Sequence, residues 1–213
     1  METASGIVVV TGFGPFRQYV SNSSWEVAKD LRMTVLGLDI QIHIKEIPVS
    51  YEKSKQVIDD IWQKLTPKLV IHLGIASGAK GITLEQTAKN YCYKDRDVTG
   101  QCPADHYCIQ AGPEQLHSII DMRSLSKQLK RMGLDVIYSR DAGRYLCDFV
   151  YYYSLYRGKG MAALIHIPAK ESRVKLVPLL QTIIQTLLLK LGDLDKTSSW
   201  DTTVKIKYED ADC

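Results

Sequence analysis

Ile7-Val8-Val9-Val10-Thr11 runs directly into Gly12-Phe13-Gly14-Pro15-Phe16. The first five residues are apolar or β-branched and show no polar alternation, as in a strand covered on both faces, most often one in a parallel sheet. The second five break the strand into a glycine-rich loop. Outward from this point, strand and helix patterns alternate. Ser23 or Ser24 caps a helix that continues through Trp25 to Leu31. Asp39 to Glu46 alternates, with Ile40, Ile42 and Ile44 on one side and polar residues on the other, and reads as a half-exposed strand. Ser50 to Leu65 carries the helical stripe Val57, Ile58, Ile61, Trp62, Leu65. Leu69 to Leu73 is a second buried strand, closed by Gly74. Ser118 to Met132 is helical and stops at Gly133. Asp135 to Ser139 and Ala162 to Ile167 are strands. Tyr145 to Tyr156 is a helix ending near Gly158, and Leu176 to Leu191 is an apolar helix ending at Gly192. This alternation predicts a single α/β sandwich with a mostly parallel, twisted sheet over residues 1–192. Residues 193–213 read as a polar, flexible tail.

Composition narrows the classes of function. With 213 residues, 45% of them apolar, the chain is long enough for one domain with a sizeable core. A net charge of +3, with scattered basic residues, does not give the clustered basic face of a nucleic-acid binder. The N-terminus Met1-Glu2-Thr3-Ala4-Ser5-Gly6 lacks the pattern of an export signal. The uninterrupted apolar runs fall short of the ~18 residues of a membrane span. Five irregularly spaced cysteines suit reduced thiols in the cytoplasm. Cys92, Cys102, His106 and Cys108 lack the paired spacing of a zinc site, and Gly12-Phe13-Gly14 lacks the third glycine of a dinucleotide fingerprint. No metal or cofactor is expected.

In open α/β sheets, ligands bind beyond the carboxyl ends of the strands. The loops after Thr11, Gly74, Ser139 and Ile167 are therefore where chemistry is expected. After Ser139 the chain reads Arg140-Asp141-Ala142-Gly143-Arg144-Tyr145-Leu146-Cys147-Asp148. Small residues permit a tight turn, and Cys147 falls in the first turn of the following helix. Free N–H groups and the dipole favour a thiolate there. A helix end contributes only about 0.3–1 kcal/mol, so a nucleophilic cysteine also needs a base. From Ile75 to Gly112 the pattern is weak and polar, as in a functional loop or one that holds short elements. His166 stands one residue before the end of its strand, and Glu85, in the loop after Gly74, could orient it. On spacing alone, Cys147 also suits a small core residue, and His166 a satisfied core histidine.

Four blocks carry a resemblance that bears on this choice. Gly12-Phe13-Gly14-Pro15-Phe16 with Asn22-x-Ser24-Trp25, Leu84-Glu85-Gln86-Thr87-Ala88-Lys89-Asn90, Asp141 to Phe149, and Ala163-Leu164-Ile165-His166-Ile167-Pro168 stand in the order found in the pyroglutamyl-peptidase I family. The chain is most similar to the animal type or its "1-like" paralogue. The resemblance implies an α/β/α sandwich and a cysteine peptidase that removes N-terminal pyroglutamate from peptides. Cys147 would be the nucleophile, His166 the base and then acid, and Glu85 the orienting carboxylate. Phe13 and Phe16 would flank the lactam ring, with Val49, Tyr145 and Leu146 nearby. The implied partners are small peptides, and the implied state is a monomer. Two departures stand out: Tyr91 to Cys108 matches no motif of the family, and Ala169-Lys170 follows Pro168 where a second proline is expected. They leave room for a rival reading, a catalytically weak paralogue that acts as a peptide-binding or regulatory protein.

Overall fold

The computed structural model describes residues 6–16, 21–31, 40–76 and 78–198. Within them the strands are β1 (Gly6–Phe13), β2 (Ile40–Ile47), β3 (Leu69–Ala76), β4 (Ile82–Glu85), β5 (Thr87–Lys89), β6 (Gln115–His117), β7 (Val136–Ser139) and β8 (Ala162–Pro168). The α-helices are α1 (Ser23–Leu31), α2 (Tyr51–Asp60), which continues as a π-helical turn over Ile61–Leu65, α3 (Met122–Arg131), α4 (Leu146–Arg157) and α5 (Arg173–Ser198). Six strands form one sheet in the order β2-β1-β3-β8-β4-β7, and β5 and β6 pair as a separate ribbon.

The period-two geometry of a strand sends neighbouring side chains to opposite faces. Val8 and Val10 join a core with Val27 and Leu31 of α1, Leu125 and Leu129 of α3 and Leu180 and Ile184 of α5. Val9, Val70 and Leu164 face the other way, onto Ile58 of α2 and Phe149 and Val150 of α4. Burial on both faces explains why β1 and β3 read as unbroken apolar runs. The architecture is the expected α/β/α sandwich with a mostly parallel sheet.

Four local readings are corrected. The stretch from Ile75 to Gly112 contains β4 and β5, whose short, polar-flanked strands leave little periodicity. β4 runs antiparallel to β8, and β7 parallel to β4, so the last two strands oppose the other four. Helix α3 begins only at Met122, because Asp121 accepts from the Ser124 N–H and caps it there. Helix α5 begins earlier than expected and continues past Gly192 to Ser198. Pro178 is tolerated because its missing hydrogen bond falls beside Val174, which is 83% exposed, where water can serve the freed carbonyl. Over Arg173–Gly192 this helix is long and apolar enough for a membrane span by length and composition. Polar residues interrupt its apolar runs, so it escapes a search for uninterrupted ones. Its buried stripe of Leu176, Leu180, Ile183, Ile184 and Leu187 packs in the core. Residues 199–213 of the expected tail lie outside the described residues.

Candidate active site

His166 and Gly74 are register partners on β8 and β3, and Thr83 is partner to His166 on β4. Glu85 is two residues along β4 from Thr83, on the same face. That placement lets its carboxylate reach across: Glu85 Oε1 lies 2.9 Å from His166 Nδ1. Both groups are buried, at 3% and 5% exposure. Glu85 therefore belongs to a strand rather than to a loop, and it approaches His166 from the antiparallel side.

Cys147 comes to the same place by another route. Because β7 is antiparallel, Ser139 is level with Glu85 and Leu164, not with the carboxyl end of β8. Residues 140–145 carry the chain back over the sheet face, with Gly143 at φ +87°, a left-handed conformation that favours glycine. Tyr145 is still extended, and the first intrahelical bond of α4 runs from Phe149 N–H to Tyr145 C=O. The N–H groups of Leu146, Cys147 and Asp148 thus have no helical acceptor and point toward the helix start.

Gly74 forms the floor on which these groups meet. A Cβ at this position would lie 2.8 Å from Cys147 Sγ, 3.0 Å from His166 Cδ2 and 3.2 Å from His166 Nε2. Sulfur and imidazole share the space a side chain would fill. His166 hydrogen-bonds Glu85 through Nδ1, and its other edge shares this space with the Cys147 sulfur. Burial alone would lower its pKa, but its interactions with Cys147 and Glu85 raise it to about 10. The imidazolium form is therefore the favoured one. The Tyr151 hydroxyl donates to the Glu85 carbonyl at 2.9 Å and fixes the end of β4 against α4. Glu85 Oε2 is buried with no hydrogen-bond partner, so the carboxylate's compensation comes from the imidazolium on Oε1.

Phe13, Val49 and Leu146 are buried in the α2–α4 core, and Phe16, Tyr145 and Cys147 pack against it from partly open positions. The rings of Phe16 and Tyr145 are 5.6 Å apart, and Tyr145 meets Tyr51 edge-on at 6.0 Å. The five residues singled out from the sequence thus share one apolar cluster with Cys147.

The stretch from Tyr91 to Cys108 is held in place by a set of side-chain hydrogen bonds, among them those of Asp97, which carried no signal in the sequence. Asn90 donates to the carbonyls of Ile109 and Gly112 and accepts from Ile109 N–H. Ser50 precedes α2 without capping it. Asp97 supplies the missing acceptor, taking the Tyr51 N–H at 3.0 Å, while Thr99 and Gln101 bond its other oxygen. Tyr51 and Tyr145 donate their hydroxyls to the carbonyls of Asp95 and Arg96, and Val98 N–H bonds Val49 C=O. The loop therefore fastens the outer wall of the Val49–Tyr145 cluster. Asp97→Ala is expected to cost about 1–2 kcal/mol, as for loss of a helix cap, measured by denaturant unfolding. Burial tends to raise the Asp97 pKa, but these hydrogen bonds lower it overall. The cost should therefore be present above pH 4 and shrink as pH falls below it.

A model of the pyroglutamyl peptidase family matches residues 7–178. Over 170 residues the chain is 45% identical to pyroglutamyl-peptidase 1 of Rattus norvegicus, covering 79% of this chain and 81% of that one. It is 41% identical to the human pyroglutamyl-peptidase 1-like protein over 169 residues, 76% and 86% of the two chains. A mutant pyrrolidone carboxyl peptidase from Pyrococcus furiosus superposes with a TM-score of 0.79 at 26% identity, over 87% of this chain and 99% of that one. The match spans the strands that carry Glu85 and His166, the helix that carries Cys147 and the glycine floor beneath them: this chain belongs to the pyroglutamyl peptidase family.

Proposed function

We propose that the protein is a cysteine peptidase that hydrolyses the bond following an N-terminal pyroglutamyl residue. The observation that carries this reading is the His166 ring, bonded through Nδ1 to Glu85 and turned through its other edge toward the Cys147 sulfur over Gly74. A thiol beside a base, with the base oriented by a third group, is the arrangement that activates a nucleophile.

The Cys147 thiolate attacks the pyroglutamyl carbonyl carbon, and the developing oxyanion is met by N–H groups at the start of α4, that of Cys147 among them. The tetrahedral intermediate collapses as the His166 imidazolium gives its proton to the departing amine. A thioester to Cys147 remains. His166, now neutral, takes a proton from water, the hydroxide adds to the thioester, and pyroglutamate leaves as the sulfur regains its resting form. Glu85 keeps the Nδ1–H tautomer and supports the charge on the ring. The lactam ring is small, uncharged and largely apolar, which suits a slot between Phe13, Phe16, Val49, Tyr145 and Leu146. The natural substrates on this reading are small peptides, acted on by a monomer in the cytoplasm. Cys92, Cys102, Cys108 and Cys147 are all free thiols, in keeping with a reducing setting.

The test is to supply a pyroglutamyl-coumarin amide and a prolyl-coumarin amide. Release from the first only, lost on alkylation of the protein, is the expected result. No release from folded protein would overturn the reading. The raised His166 pKa adds a pH signature. The limb of the profile that belongs to His166 should fall as pH passes about 10, where the proton needed by the leaving amine is lost. The stability linked to this group has the same sign. It is full below the ordinary histidine pKa of about 6.5 and disappears as pH rises through about 10.

A further inference from the structure

One residue beyond Cys147, the Asp148 side chain is fully buried at 0% exposure and takes no part in the reaction above. Its two oxygens face the Lys89 N–H at 3.3 and 3.4 Å, and Oδ2 also meets the Tyr93 hydroxyl at 3.0 Å. The same hydroxyl lies against the Lys89 carbonyl oxygen. A phenol carries one proton. It cannot serve both a carbonyl and a carboxylate. A proton on Asp148 resolves the conflict: the acid donates to Tyr93, Tyr93 donates to the Lys89 carbonyl, and the Lys89 N–H donates back to the carboxyl group.

The surrounding charges are placed to permit this. Arg144 Nη1 is 3.7 Å from Asp148 but 2.6 Å from Asp141, and Lys89 Nζ is 3.6 Å from Asp141. The nearby cations are directed chiefly to that exposed partner. Cys108 and Tyr151, the other titratable groups that sense Asp148, are buried and have pKa values pushed upward, chiefly by burial. For Asp148 itself, burial raises the pKa to about 7, against the lowering effect of Tyr93, Lys89 and Arg144.

We propose that Asp148 is a positioning residue that works as a neutral carboxylic acid, locking the first turn of α4 to β5 through Tyr93 and Lys89 so that Cys147 stands over Gly74. In this state no second negative charge adjoins the thiolate on the same helical turn. The proposal rests on Cys147 as nucleophile, but its principal test does not use peptidase activity.

An aspartate whose folded pKa lies above its unfolded one withdraws stability as pH rises from the unfolded value toward the folded value. Asparagine can donate to Tyr93 as the acid does and cannot ionise. Denaturant unfolding of the wild type and Asp148→Asn at pH 5.5 and 7.5 should show the variant gaining on the wild type by about tenfold in the folding equilibrium constant between the two pH values. A pH-independent difference between the two would mean an ionised Asp148 and overturn the proposal. The kinetic test uses the pyroglutamyl-coumarin amide. Asp148→Ala should lower kcat about tenfold or more with KM nearly unchanged, and Asp148→Asn should recover most of that loss. Wild-type kcat in Asp148→Ala would also overturn it. If Asp148→Ala fails to fold, Tyr93→Phe breaks the same chain and should lower kcat with KM nearly unchanged; an unchanged kcat there counts against the proposal.

Discussion

Replacing Cys147 with alanine is expected to remove pyroglutamyl-amide hydrolysis, lowering kcat/KM by about 10⁴-fold or more, equivalent to at least about 5.5 kcal/mol of transition-state stabilisation. The size of the effect follows from the proposed covalent route. Without the sulfur there is no thioester, and His166 and the α4 N–H groups can act only on water. Folding should survive, because Cys147 is only partly buried and sits over an open floor at Gly74. The change in Tm is expected to be a few degrees at most. Cys147→Ser should be nearly as inactive, since a hydroxyl is a far weaker nucleophile beside a base tuned to a thiol. Alkylation with iodoacetamide, followed by peptide mass mapping, gives an independent check. Cys147 should be modified well ahead of the buried Cys108. Retention of more than about a tenth of the activity in Cys147→Ala would remove the sulfur from the mechanism.

The second large effect is expected from a residue with no side chain. Gly74→Ala would place a methyl group 2.8 Å from Cys147 Sγ and 3.0 Å from His166 Cδ2, closer than van der Waals contact allows. Neither neighbour can yield freely. His166 is held by Glu85, and Cys147 belongs to the first turn of a helix that is anchored in the core through its own Phe149, Val150 and Tyr151. The sulfur and the ring must therefore separate. A displacement of about 1 Å in a reacting group costs on the order of 10²-fold in rate. The loss should fall on kcat, because the atoms nearest the added methyl group belong to Cys147 and His166 rather than to the Phe13–Tyr145 cluster. The raised His166 pKa depends on its interactions with Cys147 and Glu85, so the alkaline limb of the pH profile should also move to lower pH. An alanine variant with wild-type kcat would show that the pair does not meet over Gly74.

Much of this arrangement was written locally in the chain. The β-branched run Ile7–Thr11, the buried strand after Leu69 and the alternation of strand and helix patterns are consequences of which side chains must leave water, and they suffice for an α/β sandwich. Cys147 at the start of a helix and His166 at the end of a strand are likewise local facts. Short elements were not legible in the same way. β4 is four residues long and β5 three, too short to express a period against the turn-forming residues around them. Strand direction was also hidden, because a buried run reads the same in either sense. The expectation that the loop after Ser139 emerges beside the ends of β3 and β8 overlooked that β7 runs the other way.

Sequence by itself determined the fold class, because that depends on which side chains must leave water over a few neighbouring positions, and its four family-like blocks singled out Glu85, Cys147, His166 and the aromatic residues around them, while spacing alone left Cys147 and His166 open to core roles. Only the tertiary structure decided that Glu85 reaches His166 from an antiparallel strand, that Gly74 is empty so that Cys147 can approach, that Asp97 caps a helix 46 residues distant, and that Asp148 shares one proton chain with Tyr93. These are contacts across the sheet and between layers. Their distances are set by how strands pair and helices pack, and no residue's local preference encodes which remote partner it will meet.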